Sequence, residues 1–312
     1  MSDHNTSEVK IFFLIGVPGL EHLHIWVSIP VCFMYLIAIL GNCTILFVIK
    51  TEPSLHEPMY YFLSILAISD LGLSFSSLPT MLRVFLFNAP GINPDACFAQ
   101  EFFIHGFILV ESSVLLFMSF DRFVAIHNPL RYSSIQTPAR ISKMGLVMVI
   151  KSFLLALPLP LTLKRLRYCH KNLLSHSFCL HQDVMKLACS DYRFNVIYGF
   201  FVVLTTMLDL ACIALSYLLI LKTVLGLASF SERLKAFNTC VSHICAVLIF
   251  YIPNITLAAM HRFAKQKSPL TLILFADIFL LVPPLMNPIV YCVKTKQIRE
   301  KILEKFFTKF SR

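Results

Sequence analysis

The stretch MSFDRFVAIHNPLRY, residues 118–132, ends a long apolar segment with an adjacent acid and base, Asp121 and Arg122. About twenty mostly apolar residues precede this pair, which is the length of an α-helix that crosses the hydrocarbon layer of a bilayer. Charged groups at such a place mark the end of a span or a group with a function there. The stretch therefore predicts a membrane span that ends near Arg122.

The same pattern recurs along the chain of 312 residues, of which 57% are hydrophobic and 14% charged. This composition excludes a soluble domain of such length. Apolar runs that are long enough to span a bilayer lie near residues 26–49, 58–82, 98–121, 143–163, 196–221, 237–260 and 270–292. We expect an all-α membrane protein with one domain, 1–312, made of an N-terminal segment (1–25), a seven-helix transmembrane bundle (26–292) and a tail (293–312).

Several signals place the N-terminus outside the cell and the C-terminus in the cytoplasm. With that orientation, the inner segments carry more Lys and Arg than the outer ones. Asn5 begins an NTS sequon, which is glycosylated only in the secretory lumen. Residues 1–25 lack the pattern of a cleavable signal peptide, so the first span is expected to act as the membrane signal.

Four of the ten cysteines lie on the proposed outer side, namely Cys97, Cys169, Cys179 and Cys189. Four cysteines in an oxidising compartment allow three pairings, and their spacing alone does not choose among them. We favour Cys97 with Cys179 and Cys169 with Cys189.

The tail, KTKQIREKILEKFFTKF, places apolar residues at helical spacing with Lys and Arg between them. This pattern predicts a short amphipathic helix that contacts membrane lipids on the anionic inner leaflet.

Ionisable residues inside apolar runs are expensive and indicate function. Asp70 and Glu111, with Asn42 and Asn287, are predicted to form a polar cluster in the middle of the membrane. Two adjacent carboxylates rarely both stay ionised, so the cluster either shares a proton or holds a cation such as sodium. A purely structural hydrogen-bond network is the alternative.

Several segments together resemble rhodopsin-like (class A) G-protein-coupled receptors: GNCT (41–44), LAISD (66–70), FDRFVAIHNPLRY (120–132), SY (216–217) and NPIVY (287–291). LHEPMYYFLS, KAFNTCVSHICAVLIFY and PPLMNPIVYCVKTKQIRE resemble vertebrate odorant receptors, and GVPGLE with CLHQDVMKLAC resembles their class I branch. The resemblance covers essentially the whole chain. His127 departs from it, where a Cys is common, as does Phe123, where a Tyr is common.

The resemblance implies an odorant receptor of the plasma membrane, with neither enzymatic activity nor a cofactor, and with no nucleic-acid partner. Its ligands would be small volatile or metabolite molecules, with carboxylic acids favoured in the class I branch. It would activate a stimulatory G protein and raise cyclic AMP. Asp121 would pair with Arg122 in the closed bundle, and Arg122 would later turn inward, supported by Tyr217 and by Tyr291 of the Asn287-Pro288 motif.

Residues of the sixth span suggest what the receptor binds. Tyr251, Ile255, Ala258 and Arg262 recur every three or four residues and so share one helical face. Arg262 would then present a cation beneath the long loop, where it suits a carboxylate with a hydrocarbon tail. Further candidate ligand contacts are His181 and Gln182 in the loop, His105 and Ile108 in the third span, and Phe201 and Thr205 in the fifth.

The sequence also bears on other functions. A transporter or channel would be expected to show repeat symmetry, broken helices or a ring of charges along a pore. The sequence has none of these features. An intramembrane aspartyl protease using Asp70 and Asp277 needs GxGD and YD motifs, which are missing. Arg262 has a simpler interpretation, in which it only solvates the outer loop. A role in sensing metabolite acids outside the nose also stays open.

Overall fold

The computed structural model describes residues 9–17, 19, 23–169, 171–226, 229–263 and 269–307. Within these ranges the description leaves out the side chains of Ser133, Glu232, Lys235, Thr239, Arg262, Phe263, Pro269, Lys294, Phe306 and Phe307. The predicted glycosylation site Asn5 lies outside the described residues.

Helices make up almost all of the regular structure. In chain order the elements are β1 (Phe12–Leu14), α1 (His24–Thr51), α2 (Pro58–Phe85), β2 (Gly91–Ile92), α3 (Pro94–His127), α4 (Tyr132–Ile135), α5 (Pro138–Ala156), α6 (Pro158–Lys164), β3 (Leu173–Leu174), α7 (His181–Lys186), α8 (Arg193–Leu225), α9 (Phe230–Phe263), α10 (Pro269–Lys294) and α11 (Lys296–Phe307). The described chain contains seven helical segments long and apolar enough to cross a bilayer, with α5 and α6 together as the fourth. The predicted all-α bundle is confirmed.

Prolines mark where several of these helices begin. Pro58, Pro94, Pro138 and Pro158 each stand at the first helical position. The fixed φ of proline suits that position, and its missing N–H is one that the helix would leave without an internal partner. Prolines thus mark the first residue of these four helices.

The helix α3 is the centre of the bundle and packs against α2, α5, α6, α8 and α9. Gly106 permits one of these contacts, because a Cβ built there would lie 2.4 Å from the ring of Phe153 on α5. A larger residue at position 106 would push the two helices apart.

A proline creates the contact between α1 and α10. Pro288 has no N–H, so the carbonyl of Pro284, one helical turn earlier, lacks its usual helical donor. The amide of Asn42 donates to this carbonyl over 2.9 Å and also to its own helix at Ala38. Gly41 lets the two helices approach, since a Cβ there would lie 2.9 Å from the Pro288 ring.

One end of the bundle, called here the disulfide end, is covered by the long loop between α6 and α8. Cys97 is bonded to Cys179 and Cys169 to Cys189, as predicted. A three-stranded sheet in the order β2, β1, β3 lies beside them and was not predicted. Phe12, in the central strand, is fully buried. The loop and the N-terminal segment thus form one roof.

The opposite end, called here the Arg122 end, carries the predicted C-terminal helix α11. Ile298 is buried against the bundle, and Glu52 accepts ion pairs from Lys301 at 3.5 Å and Lys305 at 2.8 Å. The hydrogen bond from Lys305 holds the pKa of Glu52 below its ordinary value. The tail helix is therefore docked on the loop that follows α1, while its contact with lipid stays a prediction.

Candidate ligand and coupling sites

A cavity of about 260 Å³ lies between α3, α8 and α9, directly beneath α7. Its walls are mainly apolar and include Ile104, Ile108, Val202 and Leu257. The size suits a ligand smaller than a drug-sized molecule.

Polar side chains from α7 and α9 line part of the cavity. Gln182 and Lys186 come from α7, and Asn254 and His261 come from α9. Among the lining residues that the structure describes, Lys186 is the one with a permanent positive charge. The cavity therefore combines an apolar body with one cationic, hydrogen-bonding end.

Five of the predicted ligand contacts line this cavity: His105, Ile108, His181, Gln182 and Ala258. The side chain of Arg262, the predicted carboxylate partner, lies outside the described residues. The cation that the structure does bring to the cavity, Lys186, was not predicted. It stands one helical turn after Gln182 in the CLHQDVMK segment, and this i, i+4 spacing was the available signal.

Two predicted contacts on α8 lie off the cavity wall. Phe201 is 48% exposed, and the hydroxyl of Thr205 donates back to the carbonyl of Val202. Val202 and Thr206, each one residue further along the chain, are buried and line the cavity. The predicted face is thus displaced by one residue, which turns a helix by about 100°.

A similar correction applies to α9, where Ile255 is 40% exposed. Tyr251 is buried but does not line the cavity. Its hydroxyl lies 2.9 Å from that of Ser112 on α3, and Ser112 donates to Asp209 on α8 over 2.8 Å. Tyr251 therefore joins three helices instead of forming part of the wall.

His181 has a structural role that sequence reasoning missed. Its Nδ1 lies 2.8 Å from the buried carboxylate of Glu101 on α3, and its Nε2 lies 3.4 Å from the carbonyl of Asn195 on α8. Both ring nitrogens are therefore engaged. The ring still lines the cavity, but its hydrogen bonds fix α7 above α3.

The predicted polar cluster in the middle of the bundle is only partly assembled as expected. The amide of Asn287 donates to Asp70 at 3.1 Å and to Glu111 at 3.1 Å. Asn42 is not part of it, because its amide is held by the free carbonyl of Pro284. Both carboxyl groups are buried, and Glu111 Oε2 has no hydrogen-bond partner in the described chain. A shared proton or a sodium ion at Asp70 and Glu111 stays a prediction.

At the Arg122 end, Asp121 does not form the expected ion pair. Its carboxylate accepts a hydrogen bond from Tyr132 at 2.8 Å, and within the described residues no ion pair joins it to Arg122. Adjacent side chains on a helix point about 100° apart, which favours such different partners. Arg122 is half-buried and lies within electrostatic range of Tyr217 and Tyr291.

Tyr217 is itself engaged with α9, because its hydroxyl lies 2.5 Å from Nδ1 of His243. The unusual residues Phe123 and His127 stack on each other with ring centres 5.2 Å apart. His127 also lies 3.3 Å from Thr223 on α8. The contacts around Arg122 thus join α3, α8 and α9.

A sequence profile of the olfactory receptor family matches residues 31–309, nearly the whole chain. The chain belongs to the olfactory receptor family. It is 76% identical to human olfactory receptor 51A7 over 305 residues, 98% of each chain. It is 70% identical to human olfactory receptor 51A4 over 307 residues, again 98% of each chain.

A more distant human relative, olfactory receptor 51E1, is 54% identical over 304 residues, which is 97% of this chain and 95% of that one. The resemblance to the class I branch is consistent with these relatives. The receptor is therefore a G-protein-coupled odorant receptor of the plasma membrane and not an enzyme.

Proposed function

We propose that this receptor recognises small carboxylic acids and answers them by activating a stimulatory G protein, which raises cyclic AMP. The observation that carries the ligand class is the apolar cavity with Lys186 at its polar end. A carboxylate there gains a charge-assisted hydrogen bond, while its hydrocarbon tail lies among Ile104, Ile108 and Leu257. Arg262, near the C-terminal end of α9, would supply a second cation.

The proposal includes an orientation. The disulfide end would face the outside, where Asn5 would be glycosylated and odorants would enter. The Arg122 end would face the cytoplasm, and the excess of Lys and Arg in the segments at that end supports this direction.

Coupling would use the contacts around Arg122. An outward movement of α9 would separate His243 from Tyr217 and open a cleft for the C-terminal helix of the G-protein α subunit. Tyr217 and Tyr291 would then be available to support Arg122. The Asn287-Pro288 segment, which joins α10 to Asp70 and Glu111, would transmit the change from the middle of the bundle.

The test is a cyclic AMP assay in cells that express the receptor with a stimulatory α subunit, using straight-chain acids and the matching alcohols. Surface expression is measured for every variant. Lys186→Met and Arg262→Ala should each raise the half-maximal concentration of the best acid. One lost charge-assisted hydrogen bond, about 1.5–3 kcal/mol, corresponds to a shift of about 10-fold to 100-fold.

Lys171→Met is the matched control, because Lys171 is exposed in the same loop and does not line the cavity. The control should respond to acids like the wild type. The carboxylate proposal fails if both cavity-end variants keep their potency toward acids, or if alcohols activate the wild type as well as acids do. The coupling proposal fails if activation by acids produces no cyclic AMP.

A further inference from the structure

Two histidines meet at the roof, beside the polar end of the cavity. His176 lies in the loop between β3 and α7, and His261 lies on α9; their ring centres are 5.5 Å apart. Within the described chain, His176 Nε2 and both nitrogens of His261 are buried without a hydrogen-bond partner. Buried polar atoms of this kind destabilise a protein when nothing binds them. Their grouping therefore points to an occupant.

The first histidine is oriented by a carboxylate. Nδ1 of His176 lies 3.1 Å from Oδ2 of Asp183, which also accepts a hydrogen bond from the backbone N–H of Ser175. An acceptor oxygen at this position favours the tautomer of His176 that carries its proton on Nδ1, which leaves the Nε2 lone pair free. Metal-binding histidines commonly have such a carboxylate behind them.

The separation of the rings fits ligation of one metal ion. With Zn–N distances of about 2.0–2.1 Å, tetrahedral ligation puts the centres of two imidazole rings about 5 Å apart. The rings of His176 and His261 are close to that separation and are tilted by 36°. We propose that His176 and His261 bind a zinc ion that bridges the loop and α9.

Among the residues that the structure describes, no group of three or more histidine, cysteine or acidic side chains gathers as a closed metal site requires. The proposed site thus has two protein ligands. Its remaining coordination positions would be filled by water or by a carboxylate or thiolate of a molecule in the cavity, which His261 also lines. Structural zinc sites, by contrast, use four protein ligands.

The surrounding charges are compatible with a divalent cation. Asp183 and Asp277 both lie within electrostatic range of His176, and Asp277 accepts a hydrogen bond from Ser177 at 2.5 Å. Among the side chains that the structure describes, Lys186 is a cation within electrostatic range of His261. The carboxyl groups of Asp183 and Asp277 favour a divalent cation beside His176, and a bound carboxylate ligand would add to this effect.

The experiment uses the purified full-length receptor without odorant or G protein, so its result does not depend on the proposed function. Zn²⁺ binding is measured by calorimetry, and Cu²⁺ serves as a spectroscopic probe of the same site. We expect one high-affinity equivalent and an electron paramagnetic resonance spectrum with coupling to two nitrogens. His176→Ala and His261→Gln should each abolish this signal. Asp183→Asn should weaken binding about 10-fold to 100-fold.

His56→Ala is the matched control, because His56 is exposed at the Arg122 end. It should bind metal like the wild type. Thermal unfolding without metal identifies any variant that fails to fold. If a variant does fail, the wild-type spectrum still tests whether nitrogen atoms bind the metal. Absence of nitrogen coupling in the wild type overturns the proposal. So does unchanged binding in folded His261→Gln.

Discussion

The hydrogen bond between Asn42 and the Pro284 carbonyl gives a sharp prediction about stability. Asn42→Ala removes the donor and leaves that carbonyl buried without a partner, since Pro288 offers no N–H. The carbonyl of Ala38 is less affected, because a regular helix already supplies it with the backbone N–H of residue 42. The variant therefore leaves one buried acceptor, the carbonyl of Pro284, without a hydrogen-bond donor.

One orphaned buried acceptor costs about 1–3 kcal/mol, and hydrogen bonds measured inside membranes fall toward the lower end of that range. We expect a loss of about 1–2 kcal/mol. At about 2–4 °C per kcal/mol, the melting temperature should fall by about 2–8 °C. The measurement is thermal unfolding of purified receptor in lipid nanodiscs at one fixed scan rate, since unfolding of such proteins is commonly irreversible.

Thr44→Val is the matched control on the same helix. The Thr44 hydroxyl donates to Leu40, whose carbonyl also receives a backbone N–H in a regular helix. Its loss should cost less than about 0.5 kcal/mol.

A double-mutant cycle with Pro288→Ala isolates the mechanism. Alanine at position 288 restores an N–H one turn after Pro284, so Asn42→Ala should cost about 1 kcal/mol less in that background. Additive losses would refute the explanation. So would an Asn42→Ala shift no larger than that of Thr44→Val.

Three further predictions concern the bundle and its roof. Gly106→Ala should lower the melting temperature by the equivalent of about 1–3 kcal/mol, because its Cβ would meet the ring of Phe153; an unchanged melting temperature would show that the ring moves freely. Glu101→Ala should cost about 1–3 kcal/mol and weaken odorant potency, because His181 loses its buried partner; unchanged values of both would contradict the positioning role. The lowered pKa of Asp183 stabilises the fold above the unfolded value of about 4, and this contribution disappears as the pH falls through the folded value. The melting temperatures of wild type and Asp183→Asn should therefore converge below pH 4; a difference that does not change with pH would refute this.

The spans could be predicted because the bilayer restricts the chain so strongly. Each crossing requires about twenty apolar residues, and the backbone must bond to itself there, so length and composition identify all seven helices. The disulfide pairs were also predicted correctly, although spacing alone did not decide them. Short elements that depend on partners distant in sequence, such as β1 and β3, gave no comparable signal.

The side of each helix that faces the cavity was harder to predict. In a soluble protein polar residues identify the outer face, but the outer face of a membrane helix is as apolar as the inner one. Phe201 and Val202 therefore look equally suitable, although only Val202 lines the cavity. An error of one residue on α8 was enough to misplace Thr205.

The hydrogen-bond partners of buried polar groups depend on helices that are distant in sequence. Asn42 was assigned to Asp70 and Glu111 because all three are polar and lie in spans. Pro288, four residues after Pro284, was the available signal that a free carbonyl would compete for the amide. Glu101 gave no sign that it would meet His181, because that contact depends on how the loop folds over α3.

The central position of β1 has a consequence for the order in which the receptor is made. Phe13 pairs with Gly91 and then with Leu173, about 160 residues later in the chain. At about 5–20 residues per second, the ribosome needs roughly ten to thirty seconds to reach that partner. For this interval one edge of β1 stays unpaired, so a strand that is synthesised before every transmembrane helix described here is completed only after the fourth of them.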